Sequence, residues 1–140
     1  MNFGRTLFSQ IMDFIPSTSF DRLVAKYGGD DRVRTFHCSE QLRAMAFAQL
    51  TYRESLRDIE ACLNAQPTKL YGMGFRHPIA KSTLADANEI RDWRMWHDLA
   101  AVLIRRARKL YVNDDFGLDL VNTVYALDST TIDLCLALFP

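Results

Sequence analysis

Cysteine is scarce in this 140-residue chain: Cys38, Cys62 and Cys135 are an odd number without CxxC spacing. That excludes a disulfide framework and fits a reducing compartment. Set beside His37, His77 and His97, the three thiols form no recognised zinc spacing. Long apolar runs are missing too. The longest, Leu134 to Phe139, is bounded by Asp133 and Pro140, far short of the roughly 20 residues a membrane helix needs. The opening MNFGRTLFSQIMDFIP is interrupted by Ser9, Gln10 and Asp13, and no small-residue cleavage site follows it. A cytoplasmic location with no membrane partner is therefore expected. The glycines form no phosphate loop, no Ser or Cys nucleophile stands in a recognised setting, and there is no internal repeat.

Net charge is also lacking, since 17 basic residues meet 17 acidic ones. The distribution is uneven. Residues 32–110 hold fourteen basic and eight acidic side chains, whereas residues 111–140 hold five acids and no base. A basic, Arg-rich middle joined to an acidic tail suggests two parts with different partners, the first a polyanion such as DNA. With 49% hydrophobic residues, the chain has enough apolar material for one core.

The middle and front of the chain carry helical periodicity. Phe3, Leu7, Phe8, Ile11, Phe14 and Ile15 recur at steps of three and four up to Pro16. Ser19 is placed to cap FDRLVAKY before Gly28 and Gly29, and Ser39 to cap SEQLRAMAFAQLTYR. Ser55 with Asp58 predicts a capping box before a helix whose inner face is Leu56, Ile59 and Leu63. Residues 64–80, with two prolines and two glycines, predict a long connection. From Ser82 or Thr83, with Asp86 able to complete a second box on Thr83, apolar steps from Leu84 to Leu110 predict one long helix or two nearly continuous ones.

After Gly117 the period changes to two. NTVYALDST is apolar on both faces, which suits a strand inside a sheet, and TIDLCLALF could pair with it. Two strands without further sheet leave edges open, so self-association or poor solubility is expected. The organisation expected is mainly α: a helical DNA-binding-type domain over residues 1–118, then the start of a second domain over 119–140.

Within the helical part, SLRDIEACL and STLADANEI suggest a helix-turn-helix, although their connection is longer than the usual turn. Arg53, Arg57, Lys69, Arg76 and Lys81 could bind phosphates, and Asn88 and Arg91, one turn apart, could reach base edges or phosphates. The alternative is a bundle with a solvated polar face. Trp93 and Trp96 have the spacing of core residues. Arg105, Arg106, Arg108 and Lys109 form a second basic patch, either complementing a helix dipole or binding a partner. Asp128, at the end of a strand, could supply oxygen ligands to magnesium or manganese, but one carboxylate is not enough for a metal site, and this stretch taken alone favours local turn bonding.

Taken together, SLRDIEACL, STLADANEIRDW and VYALDSTTIDLCLALFP resemble the N-terminal part of bacterial insertion-sequence transposases of the DDE class, in group four of those elements. The resemblance implies a helical DNA-binding domain followed by an RNase H-like catalytic α/β domain. It makes Asp128 the first acid of an Asp, Asp, Glu triad, with Ser129, Thr130 and Thr131 matching the residues that follow. It implies Mg2+ or Mn2+ as cofactor in the complete enzyme, with two-metal phosphodiester chemistry, and double-stranded DNA, at terminal inverted repeats, as partner. The later Asp and Glu are expected downstream of Pro140, so a truncated RNase H-like domain is expected here. This chain is expected to bind DNA without cutting it. The rival expectations are a non-catalytic DNA-binding module and a helical protein-interaction domain.

Overall fold

In the computed structural model, residues 6–110 are described, and they are mainly helical. The expected strands at 119–140, with Asp128, lie outside them. No strand occurs among the described residues.

The first helix, α1 (Leu7–Met12), starts where Thr6 Oγ1 accepts the Ser9 N–H at 3.1 Å. It is shorter than the periodicity predicts. From Asp13 to Ile15 the bonds tighten to i→i+3, and the chain leaves the helix before Pro16, whose ring disfavours helical geometry in the preceding residue. Pro16 then opens α2 (Ser17–Lys26), which begins two residues ahead of the expected Ser19 cap. At its far end Gly28, at φ +62, lets the Gly29 N–H reach back to the Val24 carbonyl at 2.9 Å, the left-handed closure that satisfies free helix carbonyls. Gly29 is needed for space: a Cβ there would lie 2.7 Å from Cys38 Sγ.

Next, α3 (Cys38–Leu50) starts at His37, not at Ser39, because Glu40 Oε2 accepts the His37 N–H at 3.1 Å. It is the shared wall of two cores. Ala44 and Ala48 face one cluster, with Ile59, Leu63, Leu70, Phe75, Ile79 and Leu84. Cys38 and Leu42 face the other, with Phe20, Met95 and Leu99. A helix buried on two sides explains the small residues Cys38, Ala44 and Ala48 at its contacts.

The Ser55 cap is present, its Oγ accepting the Asp58 N–H at 3.1 Å, and α4 (Leu56–Asn64) follows it with Ile59 and Leu63 buried. The expected connection is not all loop. It holds α5 (Pro67–Leu70) and a 3-10 turn (Tyr71–Met73), and it buries Leu70, Phe75 and Ile79. Last come α6 (Lys81–Ile90) and α7 (Trp93–Leu110), separated by Arg91 and Asp92.

The break resolves the choice the periodicity left open. Arg91 takes extended geometry, and Asp92 restarts the helix, its Oδ1 accepting the Arg94 N–H at 2.9 Å. Because two residues step out of the helix, Trp93, the first residue after the break, falls off the apolar phase running down from Leu84. Met95 and Leu99 are buried and Trp96 is half-buried, stacked on Phe20, while Trp93 is 69% exposed. Trp93 is therefore not the core residue its spacing predicts. The helix α6 also begins at Lys81, ahead of the expected Thr83 box, with no side-chain cap of its own.

Candidate nucleic-acid interface

The two helices singled out in the sequence, α4 and α6, do pack on each other, and the structure shows how α6 is held. At its start, Asn64 at the end of α4 grips Ile79 twice. Its Nδ2 donates to the Ile79 carbonyl at 2.7 Å, and its Oδ1 accepts the Ile79 N–H at 3.0 Å. One turn back on α4, Glu60 Oε1 accepts the Lys81 N–H at 3.1 Å, giving one free amide of the uncapped α6 terminus a partner from outside the helix. The long connection is thus pinned to α4 just before α6 starts.

The end of α6 is fastened to α3. Arg91 Nη1 donates to Gln41 Oε1 at 2.6 Å, and Gln41 Nε2 donates to Asn88 Oδ1 at 2.6 Å. Arg91 Nη2 donates to the Phe36 carbonyl, and the guanidinium lies over the Phe36 ring at 5.6 Å. Asp30 stands 3.8 Å away. Gln41 is buried, and only 6% of the Arg91 side chain is exposed. Such a network is stable because every buried polar group in it has a partner.

Glu40, next to Gln41, is buried as well. Its two carboxylate oxygens accept the N–H groups of His37 and of Arg76, the latter at 3.0 Å, so the connection is also tied to α3. Charge-assisted bonds from backbone amides offset the cost of burying a carboxylate. No sequence signal marks Glu40, Gln41, Asp30, Glu60 or Asn64 for these roles. Each is an ordinary polar residue until its distant partner is known.

The candidate contact residues separate into two groups. Arg53, Arg57, Lys69, Arg76 and Lys81 have exposed side chains on or beside α4, the connection and the start of α6. Asn88 is exposed overall but has its Oδ1 on Gln41. Arg91 is turned inward. The expectation that Asn88 and Arg91 act as a pair one turn apart on an open face is corrected: Arg91 has more to gain from Gln41, Phe36 and Asp30 than from water.

The buried cysteine among the described residues is no nucleophile. Burial, then hydrogen bonding with Asp30, pushes the Cys38 thiol up to about 12, so it stays protonated. Among the described residues no group of three or more His, Cys, Asp or Glu side chains could hold a metal ion. Nor is any helix among them long and apolar enough to cross a membrane.

Residues 3–76, more than half of the 140-residue chain, match the family described as a domain of unknown function (DUF4372), and the chain belongs to that family. The matched region runs from the approach to α1 through the 3-10 turn to Arg76, and α6 lies beyond it. No curated protein and no solved structure matches the chain.

Proposed function

We propose that this member of the DUF4372 family is the DNA-binding part of a transposase-like protein, with residues 38–90 as the element that meets duplex DNA. The observation that carries the reading is the mounting of α6. A polar helix with its start pinned to α4 and its end pinned to α3, flanked by exposed Arg57, Arg76 and Lys81, has the rigidity a groove-reading helix needs. The family's common occurrence in transposase-like proteins supports it. In this reading the exposed Arg and Lys side chains contact phosphates and set the register, and α6 residues such as Asn88 lie nearest the bases.

The finer assignment belongs to the same proposal. The tail would open an RNase H-like domain of a DDE-class transposase. There Asp128 would be the first acid of a magnesium or manganese site, and element-end repeats would be the DNA target. A cytoplasmic location fits such a role. The resemblance of VYALDSTTIDL to that class supports this part, and Asp128 lies outside the described residues.

A protein-interaction domain is the second reading. On α1 and just after it, Leu7 and Phe14 are 72% and 77% exposed and Ile11 lies between them, an apolar stripe without cover among the described residues.

Electrophoretic mobility shift of the full chain on duplex DNA over a salt series tests the first reading. Binding that weakens linearly with the logarithm of salt concentration is expected. Absence of any shift at low salt rejects DNA binding and leaves the protein-interaction reading.

A further inference from the structure

A second basic surface lies away from α4 and α6, on the other core. A cleft of about 600 Å³ opens between the first turn of α2 and the last turns of α7. One wall is lined by the first turn of α2, with Ser17, Thr18 and Ser19. The other presents Arg105, Arg106 and Lys109. One carboxylate, Asp13, lines the same cleft. Three cations against one anion leave the cleft positive.

Three features argue that this is more than a solvated helix end. Arg105, Arg106 and Lys109 recur at steps of one, three and four, so they lie on one side of α7, the side toward α2. The walls are fixed relative to each other. Phe20 of α2 packs with Met95 and Leu99 of α7, and Arg106 Nη1 donates to the Phe14 carbonyl at 3.1 Å, across the cleft's edge. Arg105 and Lys109 have no ion-pair partner among the described residues. A helix-dipole role would ask only for positive charge in the last turn, which Arg108 and Lys109 already supply. It gives no reason for Arg105, a turn earlier and without a tie like that of Arg106 to the Phe14 carbonyl, to line the cleft opposite Ser17, Thr18 and Ser19.

We propose that this cleft seats a phosphodiester of the DNA backbone, as a second contact surface beside the α4–α6 element. The inference rests on the DNA-binding reading above and extends it. Guanidinium and ammonium groups supply charge, and the hydroxyls supply short neutral donors suited to phosphate oxygens. No base edge is read there, so the cleft adds affinity and orientation without sequence preference.

The test compares the full-length wild type with R105Q, K109Q and R108Q on one short duplex over a salt series, with thermal melting of each variant alongside. Arg108 is exposed on the same helix but does not line the cleft. Each cleft substitution is expected to make the slope of log affinity against log salt shallower by about one. R108Q is expected to leave the slope near the wild-type value, and R105K/K109R to restore it. Equal slopes for wild type, R105Q and K109Q, with melting unchanged, overturn the cleft while leaving the α4–α6 reading intact. A loss in R108Q as large as in R105Q also overturns it, because that is the behaviour of diffuse charge. A wild type that does not bind DNA removes both readings together.

Discussion

Arg91 and Gln41 are joined by a 2.6 Å hydrogen bond between residues fifty positions apart, and this bond fastens the end of α6 to the buried side of α3. Asn88 meets the other end of the same Gln41 amide. A residue that looks in sequence like a DNA contact is in the fold a tie between helices.

Replacing Arg91 by Ala is therefore expected to cost about 2–4 kcal/mol of stability, because it leaves Gln41 Oε1 and the Phe36 carbonyl buried without their donor. Chemical denaturation midpoints read this directly. A variant as stable as wild type that had lost DNA binding would show instead that Arg91 works at the surface.

Tyr52 gives a prediction of opposite sign. The helices α2 and α3 end in the same way, with the second residue past the cap bonded back across the last turn: Gly29 to Val24, and Arg53 to Ala48, each at 2.9 Å. The left-handed position is Gly28 in the first and Tyr52, at φ +54, in the second. A tyrosine pays a steric penalty there that glycine does not, and its ring, 91% exposed, packs on little. Tyr52→Gly is expected to stabilise the protein by about 1 kcal/mol. A lowered melting temperature would mean that the ring makes a stabilising contact.

Acid sensitivity should be traceable to Asp98. Hydrogen bonds first from Lys26, at 2.9 Å, and then from the Tyr27 hydroxyl, at 2.7 Å, hold its carboxyl down at about 2, and they join α2 to α7. A carboxyl depressed by folding contributes stability above its ordinary value of 3.8 and loses that contribution as pH falls toward about 2. Asp98→Asn is expected to melt at a lower temperature than wild type at neutral pH, with the gap closing across that window. A gap that stays constant down to pH 2 would show that charge at Asp98 is not what joins the helices (roughly the range set by its depressed value).

Much of the helical layout was legible because its signals are local. Pro16, the Gly28–Gly29 pair and Ser55 each act on backbone within a few residues, and each marks a boundary close to where it is found. The misplaced starts of α3 and α6 have one cause. Ser39 and Thr83 have the chemistry of caps, but Glu40 serves the His37 amide from within α3, and Glu60 serves the Lys81 amide from another helix. An acceptor supplied by another helix, as Glu60 is to Lys81, has no signature at the helix it caps.

For the candidate site the division was different. Exposed Arg53, Arg57 and Lys81 lie where a polar face was expected, whereas the inward turn of Arg91 and the cleft between α2 and α7 depend on pairs many residues apart. Trp93 lies outside the core for a related reason. A two-residue step out of the helix at Arg91 and Asp92 puts Trp93 at the start of a new helix and outside the core, while Trp96, Leu99 and Leu103 further along pack as their spacing predicts.

By itself, then, the sequence determined the helical class of residues 6–110, a few helix boundaries such as the Ser55 cap and the Gly28–Gly29 stop, and a basic middle, since these follow from nearest-neighbour sterics, capping and composition. Tertiary structure alone decided which charged side chains turn inward. Burying Glu40, Gln41 and Arg91 is favourable only when partners from three separate segments arrive together to satisfy them, and no local pattern encodes that meeting.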